Sequence, residues 1–208
     1  MDSLPNDAWR TLSTEACVET KVKGSRFIGR AFPLSSVESI EAKIHEIRKA
    51  EYNATHNTFA WIVGYGDAQA KRYSDDGEPS GTAGRPILQA LEGQEITNAL
   101  VVVTRYFGGT KLGTGGLARA YGSSAKDTVE AALPVVRFHK DLVSLTLSFP
   151  QYNLWMKRLA ELDISPGETR FEEHITMELA IRKSLTKDAH DAYVELTRGQ
   201  GQWTLLVP

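Results

Sequence analysis

An apolar run that leads into a glycine-rich segment decides the fold of this chain. Residues 101–121 read Val101-Val102-Val103-Thr104-Arg105-Tyr106-Phe107-Gly108-Gly109-Thr110-Lys111-Leu112-Gly113-Thr114-Gly115-Gly116-Leu117-Ala118-Arg119-Ala120-Tyr121. The pattern predicts a strand over 96–107, buried on both faces, and a helix from Leu117 to Leu133. Between them lies the glycine segment, residues 108–116, in which five of nine residues are glycine. Because glycine has no Cβ atom and a helix N-terminus carries partial positive charge, this order favours binding of an anion.

Cationic side chains lie in and beside the glycine segment. Between Arg85 and Lys126 there are five basic and two acidic residues, whereas residues 141–208 contain seven basic and ten acidic ones. The whole chain has a net charge of −2 and a pI near 6.2, which are not those of a general nucleic-acid binder. The sequence therefore predicts a local binding surface made of Arg105, Tyr106, Gly108, Gly109, Lys111, Gly113, Thr114, Gly115, Gly116 and Arg119.

A second irregular segment precedes the buried strand. This carboxylate loop, residues 75–86, contains Asp75, Asp76, Glu78 and Arg85 among glycine and proline residues. Its carboxylates have three interpretations: they hold Mg²⁺ or act as acid and base, they form turns and cap a helix, or one pairs with Arg85 or Arg105 and so holds the two loops together. The four charged residues are therefore candidates for the same binding site.

Residue patterns for catalysis are weak. The chain has neither a Gly-x-Ser-x-Gly nor a His-Glu-x-x-His motif, and Cys17 is its only cysteine, which excludes a cysteine-based metal site. His56 precedes a predicted strand with no second ligand nearby, so it is included as a binding candidate and no residue is assigned as catalytic. We expect neither a metal nor a cofactor. Four aromatic residues near the cations either stack on bases or belong to the core: Tyr73, Tyr106, Phe107 and Tyr121.

The composition is that of a soluble globular protein. The 208 residues are 41% hydrophobic and 24% charged. Asp2, Asp7 and Trp9 occupy the region where a signal peptide would have a basic and then an apolar run, and no stretch approaches the length of a membrane span. The expectation is a cytoplasmic protein with no membrane partner.

Hydrophobic periodicity predicts an α+β chain with two domains. The first part contains a hairpin with its turn at residues 23–25, a helix capped by a box of Ser35 and Glu38, and further elements before residue 135. Predicted bounds there are strands 16–22, 26–32, 58–64 and 70–74 and helices 36–50 and 86–91. From Asp141 onward the order β-α-β-β-α-β indicates a ferredoxin-like unit. The predicted domains are 1–135 and 141–208, with 136–140 as the linker.

Two long blocks of this chain resemble the signature of the IMPACT family, bacterial YigZ branch. They are residues 73–86 and 102–121, which include the carboxylate loop and the glycine segment. The resemblance implies a ribosomal protein S5 domain 2-like fold for residues 1–135, followed by a ferredoxin-like domain. The same two-domain order is similar to the last two domains of elongation factor G, which touch the ribosome. This is an analogy between folds and does not by itself assign a function.

Two classes of function follow as expectations. The first is a non-enzymatic, translation-linked regulator in which Arg105, Lys111, Arg119 and the loop amides contact RNA, the ribosome or an acidic surface of a translation-related protein. The second is an enzyme or sensor for a phosphorylated metabolite or nucleotide. In it the glycine segment binds phosphate, while Asp75, Asp76 and Glu78 hold Mg²⁺ or supply a base. The first is the interpretation that the residues and the resemblance favour.

Overall fold

The structure, a computed structural model, describes residues 4–206 as a mixed α/β chain with three sheets and five α-helices. The chain divides into two compact units. The first comprises residues 9–137, and the second comprises residues 138–206 together with the short segment 4–8. None of the helices within 4–206 is long and apolar enough to cross a membrane.

The first unit is built on an antiparallel five-stranded sheet. Its strands and helices are β1 (Ala8–Leu12), β2 (Ala16–Val22), β3 (Ser25–Phe32), α1 (Val37–Ala50), β4 (His56–Val63), β5 (Ala70–Ser74), α2 (Gly84–Glu92), β6 (Ala99–Tyr106), α3 (Thr114–Ala131) and β7 (Pro134–Phe138). The large sheet has the order β2-β3-β6-β4-β5, and β1 pairs with β7 in a separate two-stranded sheet. The strand that leads into the glycine segment is therefore the central one.

The central strand β6 is buried on both faces, which confirms the prediction from its apolar run. Val101 and Val103 join a core that includes buried side chains of α2 and α3. Leu100 and Val102 join a second core with Ile40, Ile44 and Ile47 of α1. Alternation along one strand thus places α1 on one face of the sheet and α2 and α3 on the other.

Some element boundaries differ from the predicted ones. Helix α3 begins at Thr114, three residues before the predicted start, so that Gly115 and Gly116 lie in its first turn. The predicted capping box of Ser35 and Glu38 is wrong, because Ser36 is the N-cap and its Oγ accepts a hydrogen bond from the Ser39 amide at 3.2 Å. Strands β1 and β7 were not predicted.

The second unit has the predicted order of elements. It contains β8 (Lys140–Leu147), α4 (Phe149–Glu161), β9 (Thr169–Phe171), β10 (Ile175–Arg182), α5 (Thr186–Thr197) and β11 (Trp203–Leu206). The sheet order is β11-β8-β10-β9, and Trp155 of α4 and Tyr193 of α5 are buried against it. Residues 136–140, the expected linker, contain the end of β7 and the start of β8.

Candidate binding site

The glycine segment runs from the end of β6 into an uncapped helix N-terminus. Gly113 is the N-cap of α3, with φ 72° and ψ 164°, a conformation that is essentially restricted to glycine. Since glycine has no side chain, Gly113 cannot accept a hydrogen bond from the first amides of the helix, and Thr114 and Gly115 are exposed. The first turn of α3 therefore presents backbone N–H groups to solvent, at the positive end of an 18-residue helix.

Two cations accompany this helix terminus. Lys111 lies in the segment before it and Arg119 lies in its second turn, and both side chains are exposed. Within residues 4–206, neither forms a hydrogen bond or an ion pair with another side chain. Both charges are consequently exposed and uncompensated in this part of the chain, and their contact with a ligand remains a prediction.

The start of the glycine segment packs against the turn between β2 and β3. A Cβ atom on Gly108 would lie 1.9 Å from the carbonyl carbon of Gly24, so the two backbones approach too closely for any side chain at residue 108. The Gly108 amide donates to the Ser25 hydroxyl at 3.2 Å. Gly108 is therefore a packing residue, whereas Gly109, at φ 84°, has open space around it.

Asp75 holds the carboxylate loop in shape. One of its oxygens accepts from the Gly81 amide at 2.8 Å, and the other accepts from the amides of Ala83 and Gly84 at 2.9 and 2.8 Å. These last two amides open helix α2, so Asp75 serves as the cap of its N-terminus. Of the three interpretations of the carboxylates, the capping one is confirmed for Asp75.

Asp76 and His56 join the carboxylate loop to α1 and β4. The Asp76 carboxylate accepts from Arg48 and from the Asn57 amide, each at 2.7 Å. Its backbone carbonyl lies 2.8 Å from His56 Nδ1, and since a carbonyl oxygen only accepts, Nδ1 is the donor. His56 thus has a positioning contact in the loop, and its other ring nitrogen, Nε2, lies 3.7 Å from Glu78 Oε1.

Glu78 and Arg105 form a buried ion pair between the two loops. Arg105 Nη1 donates to Glu78 Oε1 at 2.6 Å, Nη2 donates to Ser25 Oγ at 3.2 Å, and Arg105 is only 5% exposed. Tyr121 of α3 donates its hydroxyl to the same Glu78 oxygen at 2.8 Å. Burial and the adjacent Glu78 charge raise the pKa of Tyr121 far above its usual range, so the hydroxyl remains a donor. The predicted pairing of the loops through Arg105 is confirmed.

This burial corrects the predicted role of Arg105. Sequence reasoning placed it on the binding surface beside Lys111, but its guanidinium lies inside the protein and is neutralised by Glu78. The Arg105 guanidinium cannot contact a phosphate at the surface unless its ion pair with Glu78 is broken. Arg85, the other proposed partner, is exposed at the start of α2 and pairs with no described side chain.

Tyr106 belongs to a polar cluster on the α1 face of the sheet. Its hydroxyl donates to Glu51, which also pairs with Arg30. Burial raises the pKa of Glu51, but the Tyr106 hydrogen bond and the Arg30 charge outweigh that effect and lower it overall. The Glu51 hydrogen bond also raises the pKa of Tyr106. The Tyr106 side chain is therefore held by its hydrogen bond to Glu51 and is not free to stack on a base.

Sequence reasoning did not predict that Phe107 and Lys23 lie near each other beside the glycine segment. Phe107 is 47% exposed, and Lys23 lies exposed in the turn whose Gly24 touches Gly108. The antiparallel register of β3 and β6, with Arg26 opposite Tyr106, brings that turn beside residue 107. An explicit strand pairing in the predicted sheet would have identified this neighbourhood.

The other two aromatic candidates lie elsewhere in the fold. Tyr121 is a core residue, and Tyr73 lies on edge strand β5.

The structure thus joins the two predicted loops and separates their residues by role. Buried or bonded side chains form the support: Asp75, Asp76, Glu78, His56, Arg105 and Tyr106. Exposed groups remain at the surface: Arg85, Gly109, Lys111, Gly113, Thr114, Gly115 and Arg119, with Gly116 partly covered. Among the residues that the structure describes, no group of three or more His, Cys, Asp or Glu side chains is placed to hold a metal ion.

Known proteins are similar to this chain in the region that contains the carboxylate loop and the glycine segment. Residues 23–129, just over half of the chain, match the family described as the Impact N-terminal domain. IMPACT family member YvyE of Bacillus subtilis (strain 168) is 34% identical over 182 residues, which are 88% of this chain and 83% of that protein. The chain belongs to the IMPACT family. The matched region contains both loops of the candidate site.

Further relatives extend the IMPACT match. IMPACT family member YigZ of Escherichia coli (strain K12) is 38% identical over 124 residues, 59% of this chain and 61% of that protein. A crystal structure of a hypothetical protein superposes with a TM-score of 0.65 at 28% identity, covering 97% of this chain and 98% of the other. The resemblance drawn from the two sequence blocks is therefore confirmed.

Proposed function

We propose that this IMPACT protein is a non-enzymatic, translation-linked regulator that binds RNA or the ribosome through the N-terminus of α3. The observation that carries the proposal is the uncapped first turn of α3 with the unpaired cations Lys111 and Arg119 beside it. Backbone N–H groups and such cations are the partners that phosphate oxygens require. The link to translation rests on family membership.

The support beneath this surface favours binding over catalysis. Asp75 accepts three backbone amides, Asp76 pairs with Arg48, and Glu78 is buried with Arg105. A carboxylate engaged in this way would have to give up its partners before it coordinated Mg²⁺ or accepted a proton from a substrate. The exposed helix N-terminus would also suit the phosphometabolite enzyme considered above, but the carboxylates that it needs for Mg²⁺ or as a base are held in these contacts.

The finer fold assignment is part of the proposal. We infer a ribosomal protein S5 domain 2-like fold for the first domain and a ferredoxin-like fold for the second, with the boundary near residues 136–140. The element order β-α-β-β-α-β and the sheet order β11-β8-β10-β9 support the second assignment. By analogy with elongation factor G, these are the kinds of domain that touch the ribosome.

The experiment that tests the function measures RNA binding as a function of salt. A fluorescently labelled single-stranded RNA of mixed sequence is titrated with the full chain, and purified ribosomes are titrated in parallel. Each phosphate contact with a single strand contributes about 0.7 unit of slope in a plot of log K against log salt, so we expect Lys111→Ala and Arg119→Ala each to reduce the slope by about 0.7.

The matched control removes a cation from elsewhere on the surface. Lys157 of α4 is exposed and unpaired among the described residues, so Lys157→Ala changes the net charge by the same amount. The proposal predicts that this variant binds as the wild type does. Absence of salt-dependent binding to either probe, or equal losses in all three variants, would reject it.

A further inference from the structure

A shallow groove runs between helices α2 and α3 on the outer face of the first unit. It has a volume of about 480 Å³. Its floor is made of small and apolar groups, with Pro86 and Ala90 from α2 and Ala118 and Gly122 from α3. Gln89 and Gln94 line its sides. Such a floor leaves apolar surface accessible between two helices, as in grooves that receive a further helix.

Gly122 stands in the interior of α3 although the fold does not require glycine there. An added Cβ atom would meet only Pro86 Cβ, at 3.7 Å, which is ordinary van der Waals contact. By comparison, a Cβ atom on Gly29 would lie 2.0 Å from Thr128 Oγ1, so that glycine is needed for packing. Since glycine in a helix interior costs about 1 kcal/mol relative to alanine, residue 122 gives up stability and keeps the groove open.

The rim of the groove is cationic. Arg119 and Lys126 lie three residues before and four residues after Gly122, which places them on the same side of α3. Arg85, one turn before Gln89 on α2, is exposed near this rim but is not among the residues that line the groove. Arg85 and Arg119 have no charged partner within the described part of the chain, and Lys126 has only an exposed contact with Glu130 at 3.8 Å. None of the described residues that line the groove is acidic.

We propose that the groove between α2 and α3 binds an acidic, amphipathic helical segment of a partner protein. Aliphatic side chains of that segment lie on Ala90, Ala118 and Gly122, and its flanking carboxylates face the cations of the rim. Charge complementarity selects an acidic partner. Within residues 4–206, the lining of the groove includes no aromatic side chain on which an RNA base would stack, so the apolar floor favours a peptide. The groove shares Arg119 with the proposed RNA site, but its apolar floor lies outside that site.

The test uses a displayed library of random 16-residue peptides, selected against the full chain. Enriched peptides are then measured for binding to Gly122→Leu, in which a side chain fills the floor, and to Ser123→Leu. Ser123 is exposed on the same helix outside the groove, so its variant is the matched control. Leucine is a good helix former, and circular dichroism verifies that both variants are folded.

The expected result has three parts. Peptides that lose binding to Gly122→Leu carry a net negative charge with apolar residues at i, i+3, i+4 and i+7. Ser123→Leu binds these peptides as the wild type does. Lys126→Glu lowers the affinity for them by about tenfold or more, because its carboxylate then faces the carboxylates of the peptide. RNA binding is unchanged in Gly122→Leu, which keeps this test separate from the proposed function.

The opposite outcomes overturn the proposal. Enrichment of basic or uncharged peptides, absence of any enriched peptide that is sensitive to Gly122→Leu, or equal losses in Ser123→Leu would each exclude an acidic helix in the groove. A loss of RNA binding in Gly122→Leu would instead assign the groove to nucleic acid and would equally overturn it.

Discussion

At the scale of single residues, burial decides between two opposite roles for the same charge. Arg105, Lys111 and Arg119 look equivalent in sequence, since each is a cation near the glycine segment. In the structure only Arg105 is enclosed, with its charge matched by Glu78 and its guanidinium near the rings of Phe27 and Phe107. It joins the two loops, and the other two cations remain for a ligand.

The importance of this pair is measurable by changing one partner. Glu78→Gln keeps the size of the side chain and an acceptor for Tyr121, but it leaves the Arg105 charge buried without compensation. We expect the free energy of unfolding to fall by about 3–5 kcal/mol in urea denaturation. The matched change Glu41→Gln removes the exposed pair with Arg72 and is expected to cost less than about 1 kcal/mol.

A second variant separates charge from packing. Adding Arg105→Met to Glu78→Gln removes the stranded charge, so the double variant is expected to be more stable than Glu78→Gln alone. Equal costs for Glu78→Gln and Glu41→Gln would show that the buried pair does not hold the loops together.

Sequence reasoning identified the candidate residues better than it identified their roles. Residue type and loop composition were enough to name Asp75, Glu78 and Arg105 as candidates for one site, and the structure shows that Glu78 contacts Arg105. Whether a given carboxylate caps a helix, pairs with a cation or stays free depends on which backbone amides and side chains meet it. Those contacts join residues such as 78 and 105 across strands, and no local pattern contains that information.

At the scale of elements, the glycines of residues 108–116 divide into distinct functions. Gly108 allows a close backbone approach, and Gly113 adopts a conformation outside the range of other residues. Gly115 lies in the first turn of α3, where an added Cβ atom would make only an ordinary contact with Arg119 Nη1 at 3.6 Å. Only the last is dispensable for the fold, and it faces the proposed phosphate site.

These roles predict different outcomes for the same substitution. Gly113→Ala is expected to destabilise the protein by about 1–3 kcal/mol, because its φ and ψ are strained for any residue with a Cβ atom. Gly115→Ala is expected to be neutral or to stabilise by up to about 1 kcal/mol, since alanine is the better helix former. Urea denaturation measures both, and equal effects would contradict the assigned helix start at Thr114.

The start of α1 provides an equally direct test of an element boundary. Ser36 accepts the Ser39 amide as N-cap, whereas the neighbouring Ser35 is exposed and outside the helix. Ser36→Ala is expected to lower the free energy of unfolding by about 1 kcal/mol. Ser35→Ala is expected to change it by less than about 0.5 kcal/mol, and the reverse order would restore the predicted capping box.

The long elements were predictable because their composition and periodicity are strong, whereas two short strands were not. Strands β2, β3, β4 and β6 and all five helices follow from β-prone composition or apolar spacing, and the exposed five-residue strand β5 was predicted without apolar spacing. Strands β1 and β7 are five residues each and pair with each other across more than a hundred residues. Neither has a clear alternation, so only the tertiary pairing defines them.

At the scale of the whole molecule, the start of the described chain belongs with its last third. Asp7 is 6% exposed and accepts from Arg182 at 3.2 Å and from the Ser184 hydroxyl at 2.7 Å. The His139 amide donates to the Asp7 carbonyl at 2.7 Å. Residues separated by more than 170 positions thus share one compact unit.

This arrangement predicts which part of the protein responds to a change at residue 7. Asp7→Asn is expected to accelerate hydrogen exchange in β8 and β10, because local opening of that unit becomes easier. Exchange in the central strand β6, which lies in the other unit, serves as the internal control and is expected to stay as in the wild type. Faster exchange in β6 with no change in β10 would contradict the assignment.

The same contact gives a dependence on pH with a definite sign. The Ser184 hydroxyl, followed by Arg182, lowers the pKa of Asp7 from 3.8 to about 2. Between these values the unfolded chain binds more protons than the folded one, so the contribution of Asp7 to stability is complete above pH 4 and is lost as the pH falls through 2. We therefore expect the melting temperatures of the wild type and Asp7→Asn to differ most above pH 4 and to converge toward pH 2. A difference that stays constant across this range would show that the carboxylate is not held by Ser184 and Arg182.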